Sequence, residues 1–240
     1  MARVLVSLLC FNTRNATEGV LNKFPPSDGS YDVIVVNDGS TDGTTELLYS
    51  FKRFKVIEHP QNRGLGAAIK TSAKFALENN YDILVIMAGN GKDNPEEIPK
   101  IFRPVAQGEA DYVQGSRFLN GGSSDNLPPF RYVMIKVYAF FLSFITRRRV
   151  TDPLNGFRAY RLDILKDPRI NVWQDWLNHY EYETYLNLNV LRFGFKYREV
   201  PVSKLYPEKK KKIKYTHIRP FIDWWSILRP ILFLYLRIKR

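Results

Sequence analysis

The stretch VVNDGSTDGT, Val35–Thr44, decides how the chain is read. Its first residues close an apolar run, YDVIVV (Tyr31–Val36), and its last open a helical pattern over Thr41–Arg53. Between them lie an acid, Asp38, a turn-permitting glycine, Gly39, and two hydroxyl residues, Ser40 and Thr41, suited to capping a helix. A strand that passes through such a turn into a helix is the first part of a βαβ unit. The same alternation extends outward on both sides. Strands are expected at Arg3–Leu9, Phe54–His59, Tyr81–Met87 and Asp111–Ser116, and helices at Asn62–Asn79 and Pro95–Gln107. This order predicts an α/β fold, a mostly parallel sheet with helices on both faces. Ligands of such sheets sit at the carboxyl ends of the strands. Three loops are expected there: Phe11–Arg14, Asn37–Asp42 and Ala88–Asp93.

The second half changes character. The segment TDPLNGFRAYRLDIL (Thr151–Leu165) is assigned no helix or strand, whereas Asp175–Arg192 reads as a helix and Phe195–Val202 as a strand. The 240 residues suffice for one large domain, and the expected division is a domain over residues 1–203 with an appendage over 204–240. One cysteine, Cys10, excludes an internal disulfide framework and suits a reducing compartment. No secretory leader is expected from MARVLVSLLCFN.

The formal net charge of +12 is regional. A net +9 falls in residues 204–240 and +5 in residues 131–149, leaving the remainder slightly acidic. Both basic segments are also apolar and aromatic, at Tyr132–Ile145 and Trp224–Leu236. Each is shorter than the roughly 20 residues of a membrane span and is interrupted by a cation. Apolar helices flanked by Lys and Arg, with the run KKKKIK (Lys209–Lys214) nearby, point to a peripheral membrane surface. A C-terminal helix rich in Trp and Leu is also a candidate for pairing with a second copy of the chain. No helix-turn-helix, zinc or RNP pattern points to nucleic acid.

At the expected ligand edge, Asp38 is placed to accept hydrogen bonds from a ribose or a base. In PQNRGLGAAIK (Pro60–Lys70), Gly64 and Gly66 permit close backbone approach at a helix N-terminus, where anions are favoured. Arg63 adds a charge suited to a phosphate or to Asp38. The loop IMAGNGKDNPEE (Ile86–Glu97) lies where a metal site belongs, yet it leads with Ala88, Gly89 and Asn90, then Lys92 and Asp93.

In this order and at these spacings, NDGSTDGT, NRGLGAAIK, the post-strand loop with NPEEI, GSRF and NGFRAY resemble family 2 glycosyltransferases, above all the polyprenyl- or dolichyl-phosphate sugar transferases. The resemblance covers about Val4 to Val202. It implies a GT-A fold, a nucleotide-sugar donor, a polyprenyl phosphate acceptor at the cytoplasmic membrane face, and inversion at the anomeric carbon. It implies donor contacts at Phe11, Asn12 and Asp38, with Thr13 where the family usually has Glu, and Gly39, Ser40, Arg63, Gly64, Ala88 and Gly89 are the further residues expected around the donor. Arg117 and Arg131 match arginines that hold acceptor or donor phosphates, with Ile135 where the family often has Ser, and Arg158 joins them as an expected cation for an acceptor phosphate.

Ala88, Gly89 and Asn90 fall where the family carries a metal-binding Asp-x-Asp, and Lys92 falls where it often has Gln. Asn90 and Asp93 offer one neutral and one anionic ligand for Mg2+ or Mn2+, so that site is expected to be weak or absent. The Lys92 ammonium is the alternative neutraliser of a departing diphosphate. Asn90, Lys92 and Asp93 are therefore the expected catalytic loop. Glu181, Glu183 and Asp175, on the Asp175–Arg192 helix where Asp175 and His179 are expected to share a face, are the candidate bases if the acceptor is a hydroxyl, with Glu183 equally the ion-pair partner of a nearby Arg. Two other readings stay open: transfer to a glycan hydroxyl, and a non-catalytic protein that binds nucleotide sugar.

Overall fold

The computed structural model describes residues 2–26, 28–206, 222–236 and 238. The Lys209–Lys214 run lies outside the described residues. Seven strands form one sheet: β1 Val4–Cys10, β2 Asp32–Asn37, β3 Lys55–Glu58, β4 Ile83–Ala88, β5 Tyr112–Ser116, β6 Arg158–Arg161 and β7 Tyr197–Pro201. Their order is β3-β2-β1-β4-β6-β5-β7. β6 pairs antiparallel with both neighbours, and the other pairings are parallel.

β1 and β4 are buried on both faces, which explains their unbroken apolar runs. One face carries Leu5, Leu84, Tyr112 and Tyr160 into a core shared with helices α3 (Leu65–Glu78) and α6 (Glu181–Arg192). The other carries Val6, Val85, Val113 and Ala159 against α1 (Arg14–Lys23) and α4 (Ile98–Ala106). This is the doubly covered sheet expected from the alternation of runs.

Three elements depart from the sequence reading. β6 arises inside a segment to which the sequence assigned no element: RAYR is short and begins and ends in arginine, so it carries no apolar run to announce it. The helix expected over Thr41–Arg53 forms only at α2, Thr44–Ser50. The helix expected over Asp175–Arg192 is a 3-10 turn at Asp175–Leu177 followed by α6 from Glu181. Asp175 and His179 therefore do not share an α-helical face.

The basic aromatic segments form α5 (Pro129–Thr146) and α7 (Ile222–Tyr235). α5 buries Ile135, Tyr138, Ala139 and Leu142 and leaves Phe130, Phe140 and Phe144 more than half exposed. It is longer than the segment read from the sequence. By length and composition alone its 18 residues suffice to cross a membrane, which corrects that reading, while 22% of it is buried in the protein. α7 packs on α6 through Leu234, and its Phe233 ring meets Trp176 at 5.5 Å. Phe130 and Trp224, at 5.6 Å, bring α5 and α7 together.

Candidate functional site

A cleft of about 500 Å3 opens at the carboxyl ends of β1, β2 and β4. Asp38 lines it immediately after β2 and is 4% exposed. Its carboxylate is already heavily engaged. Oδ1 lies 2.7 Å from His59 Nδ1 and accepts from the Arg63 N–H at 2.9 Å. Oδ2 accepts from the Gly64 N–H at 2.9 Å and from Asn62 Nδ2 at 2.8 Å. The acid thus ties the end of β2 to the entrance of α3. Its neighbours serve the same turn. Gly39 has φ +67°, and a Cβ there would strike the Gln61–Asn62 backbone. Ser40 Oγ donates to Asn37 at 2.6 Å and accepts from the Asn12 N–H, while Asn12 Oδ1 accepts from the Thr41 N–H. Asn12, Gly39 and Ser40 therefore shape the turn and do not line the cleft, whereas Phe11 does. The side chain that meets the start of α2 is Asp42, through the Thr44 N–H at 3.0 Å, in place of the expected Ser40 or Thr41.

The glycine loop is also spent on packing. Gly64 has φ +97° and abuts His179, and a Cβ on Gly66 would collide with the Leu177 carbonyl. The Asn178 carbonyl accepts from the Ala67 N–H at 2.9 Å, so one free donor at the N-terminus of α3 is satisfied by protein. Gly64 lines the cleft; the exposed Arg63 side chain does not, and its backbone alone reaches Asp38.

At the end of β4, Ala88, Asn90 and Lys92 line the cleft. Gly89 faces Cys10, and its N–H donates to the Leu9 carbonyl. Lys92 is 8% exposed, which corrects any picture of a lysine reaching into solvent. Its Nζ sits 5.6 Å from the centre of the Tyr206 ring. Burial, then the charges of Lys204 and Arg131, push the Lys92 ammonium well below the usual lysine range. Asp93 is 4% exposed and is held by Lys204 Nζ at 2.7 Å. Lys204 also donates to Asn155 Oδ1 at 2.9 Å. Arg117 makes two bonds from its side chain to Asp152, at 2.6 and 2.5 Å, and a third to the Tyr206 hydroxyl. Arg131 approaches the same tyrosine ring at 5.9 Å. Lys92, Arg117 and Arg131 thus converge on Tyr206, and Lys204 lines the same cleft.

This setting does not fit a divalent cation. The one carboxylate in the loop is bound to Lys204, Asn90 is neutral, and a buried ammonium stands between them in sequence. Among the described residues no group of three His, Cys, Asp or Glu side chains is placed to hold a metal.

Arg158 sits elsewhere than expected. It is 2% exposed, does not line the cleft, and binds Glu183 Oε1 at 2.6 Å, Tyr112 OH at 3.0 Å and the Asn155 carbonyl at 2.7 Å. Glu183, in the first turn of α6, does line the cleft. Sequence reasoning missed Lys204, Tyr206 and Asn155. They lie 49 to 111 positions from their partners, and VSKLY carries no motif that announces a site.

A model of the family described as glycosyl transferase family 2 matches residues 12–168. The chain is 30% identical over 206 residues to polyprenol monophosphomannose synthase of Mycolicibacterium smegmatis, covering 84% of this chain and 77% of that protein. It is 30% identical over 237 residues to UDP-N-acetylglucosamine–dolichyl-phosphate N-acetylglucosaminyltransferase of Methanococcus voltae, covering 87% and 88%. Among solved structures, glucosyl-3-phosphoglycerate synthase of Mycobacterium tuberculosis, in complex with Mn2+, uridine diphosphate and glucosyl-3-phosphoglycerate, superposes with a TM-score of 0.68 at 19% identity. That match covers 98% of this chain and 79% of the other, and it shows a shared fold.

Proposed function

Because the chain belongs to glycosyl transferase family 2, we propose that its cleft moves a sugar from a nucleotide-sugar donor to a polyprenyl phosphate at the cytoplasmic membrane face, without a metal. The protein is a glycosyltransferase of GT-A fold; the acceptor, the place of action and the absence of a metal are the proposal. The observation that carries it is that Lys92, Arg117 and Arg131 converge on Tyr206 and line one cleft with Lys204, at the strand end where a diphosphate leaving group belongs. Such a set neutralises anionic oxygens directly.

A phosphate acceptor fits better than a hydroxyl. A phosphomonoester carries about −1.5 to −2 charges at pH 7, so it attacks without a strong base, and it is drawn to the same cations. One of its oxygens bonds to the anomeric carbon as the bond to the nucleoside diphosphate breaks, with inversion. Lys92 and Lys204 stabilise the departing oxygens, and Arg131 steers the entering phosphate. Arg117, braced by Asp152, fixes Tyr206 between them. The exposed apolar faces of α5 and α7, with exposed Arg147–Arg149 after α5, suit a membrane interface carrying anionic headgroups.

The test is a screen of UDP- and GDP-sugars with a short polyprenyl phosphate, with and without EDTA. Lipid-linked product formed in EDTA is the expected result. Activity lost in EDTA and restored only by Mn2+ would overturn the metal-free reading, and product on a glycan hydroxyl alone would overturn the acceptor.

A further inference from the structure

Asp152, which braces Arg117, lies on a segment between α5 and β6 that is neither helix nor strand. What holds that segment is a carboxylate from a distant strand, Glu199 in β7. Glu199 accepts from the Thr151 N–H at 2.9 Å with both oxygens, from the Thr151 hydroxyl at 2.8 Å and from the Asp152 N–H at 3.0 Å. Thr151 is fixed on its other side by the Ser116 hydroxyl, at 2.6 Å, where β5 ends. Asp152 in turn accepts from the Arg117 N–H at 3.0 Å and from its guanidinium, whose Nη1 donates to the Tyr206 hydroxyl. The Tyr206 ring meets Lys92 and Arg131. A chain of four side chains, Glu199, Asp152, Arg117 and Tyr206, thus runs from β7 to the cations of the cleft.

The acid at its root is kept against its surroundings. Burial is the main cause that pushes the Glu199 carboxyl above the usual glutamate range, opposed by the bonds from Thr151 and Asp152, and the charge of Asp152 pushes the same way as burial. Tyr197, on the same strand, donates its hydroxyl to Glu199 at 3.3 Å, and the residue beside Glu199 on β5 is the neutral Gln114. β7 is an edge strand paired to β5 through its backbone, so the sheet itself asks for no charge at this position. What the charge does supply is a fixed seat, on a rigid strand, for two consecutive N–H groups of an irregular segment.

We infer that Glu199 is a positioning residue for the transfer: it seats Asp152 and, through Arg117 and Tyr206, sets where Lys92 and Arg131 present their charges. This rests on the function proposed above. Glu199 does not line the cleft, so it acts on the substrates through this arm and touches neither of them.

The experiment is a double-mutant cycle on the full chain: native, Glu199→Gln, Tyr206→Phe and the double variant, each assayed with a short polyprenyl phosphate and the active UDP- or GDP-sugar, with thermal melts as a folding control. Tyr206→Phe keeps the ring and removes the hydroxyl that Arg117 grips. Each single variant should lose about 10-fold in kcat/KM for the acceptor, the size of a lost hydrogen bond to a charged group. The double variant should stay within about threefold of either, because the same arm is already broken. The pH profile adds a readout that packing would not move. As pH falls, Glu199 takes up a proton and comes to resemble glutamine, so the ratio of native to Glu199→Gln should close toward one; ionisation of the acceptor phosphate is common to both and cancels. Unchanged kcat/KM in a folded Glu199→Gln, a double variant whose loss is the product of the two single losses, or a ratio indifferent to pH overturns this inference alone. A Glu199→Gln chain that does not fold makes the residue structural and overturns it equally. No lipid-linked product from the native protein overturns the function proposed above and this inference with it.

Discussion

Asp38 and Lys92 occupy equivalent places, each just past a parallel strand at the same edge of the sheet, and they are held in opposite ways. Asp38 is engaged by residues at most 26 positions away, two of them through backbone N–H groups. The Lys92–Asp93 loop is completed from far along the chain, by Lys204 and Tyr206. The Leu205 N–H also donates to the Lys92 carbonyl, so the segment after β7 straps the loop in place. The first arrangement is a self-contained turn that builds the cleft. The second is an excess of positive charge gathered along one cleft wall, which burial alone makes unfavourable. A protein that keeps four buried or half-buried cations together gains little stability from doing so, and an anionic ligand offsets their repulsion.

The largest expected effect separates these two roles. Lys92→Met should lower kcat by about 100-fold, the usual cost of removing one charge-stabilising donor from a transition state. Its melting temperature should stay level or rise, because the native lysine is buried among like charges. Steady-state kinetics beside a thermal melt checks both, and a fall in melting temperature with unchanged turnover would make Lys92 a structural residue. Asp38→Ala should do the reverse and destabilise first. It strands His59, Asn62 and two N–H groups, at a cost of about 3 kcal/mol or more by chemical denaturation.

Between these lies Lys204→Met. It leaves Asp93 as a buried, unpaired carboxylate and should cost about 3 kcal/mol, while the double variant Lys204→Met/Asp93→Asn should recover most of that loss. No recovery in the double variant would mean that Lys204 acts through packing. A reverse change sharpens the comparison. Ala88→Asp/Asn90→Asp/Lys92→Gln puts back the residue types that the family usually carries. It should convert turnover from EDTA-resistant to Mn2+-dependent.

The alternation of apolar runs made the sheet and its ligand edge legible, because β1, β2 and β4 are buried strands closed by polar turns. Asp38 was legible for the same local reason. What escaped depends on contacts distant in sequence. β6 escaped because two arginines bound a strand of four residues. The helix read from Asp175 breaks before α6 because Leu177–His179 must meet the glycines of α3, and nothing near Asp175 records that demand. Arg158 looked like a phosphate ligand within its motif, yet its guanidinium is turned inward by Tyr112 and Glu183, which lie 46 and 25 positions from it. The loss of the metal acids was visible in Ala88 and Asn90. Of the cations proposed to take their place, Lys92, Arg117 and Arg131 were visible and Lys204 was not.

The smallest expected effect concerns the one thiol. Cys10 ends β1, is 1% exposed, and borders the cleft wall against Gly89. Burial is the main cause that pushes its thiol up to about 11, partly opposed by hydrogen bonding from Thr13 and Thr17. The thiolate is the reactive species, so at pH 8 roughly one molecule in a thousand is poised to react. The native protein should therefore label slowly with a disulfide reagent such as DTNB, and denaturant should release one thiol per chain promptly. Lys92→Met should leave this rate nearly unchanged, because the strand end is held by its own neighbours. Asp38→Ala should raise it several-fold, since the Asp38 N–H donates to the Cys10 carbonyl and the turn it anchors covers the end of β1. Equal acceleration in both variants would show that the two loops open together, and that the contrast between a self-contained turn and a remotely assembled one is not how the cleft moves.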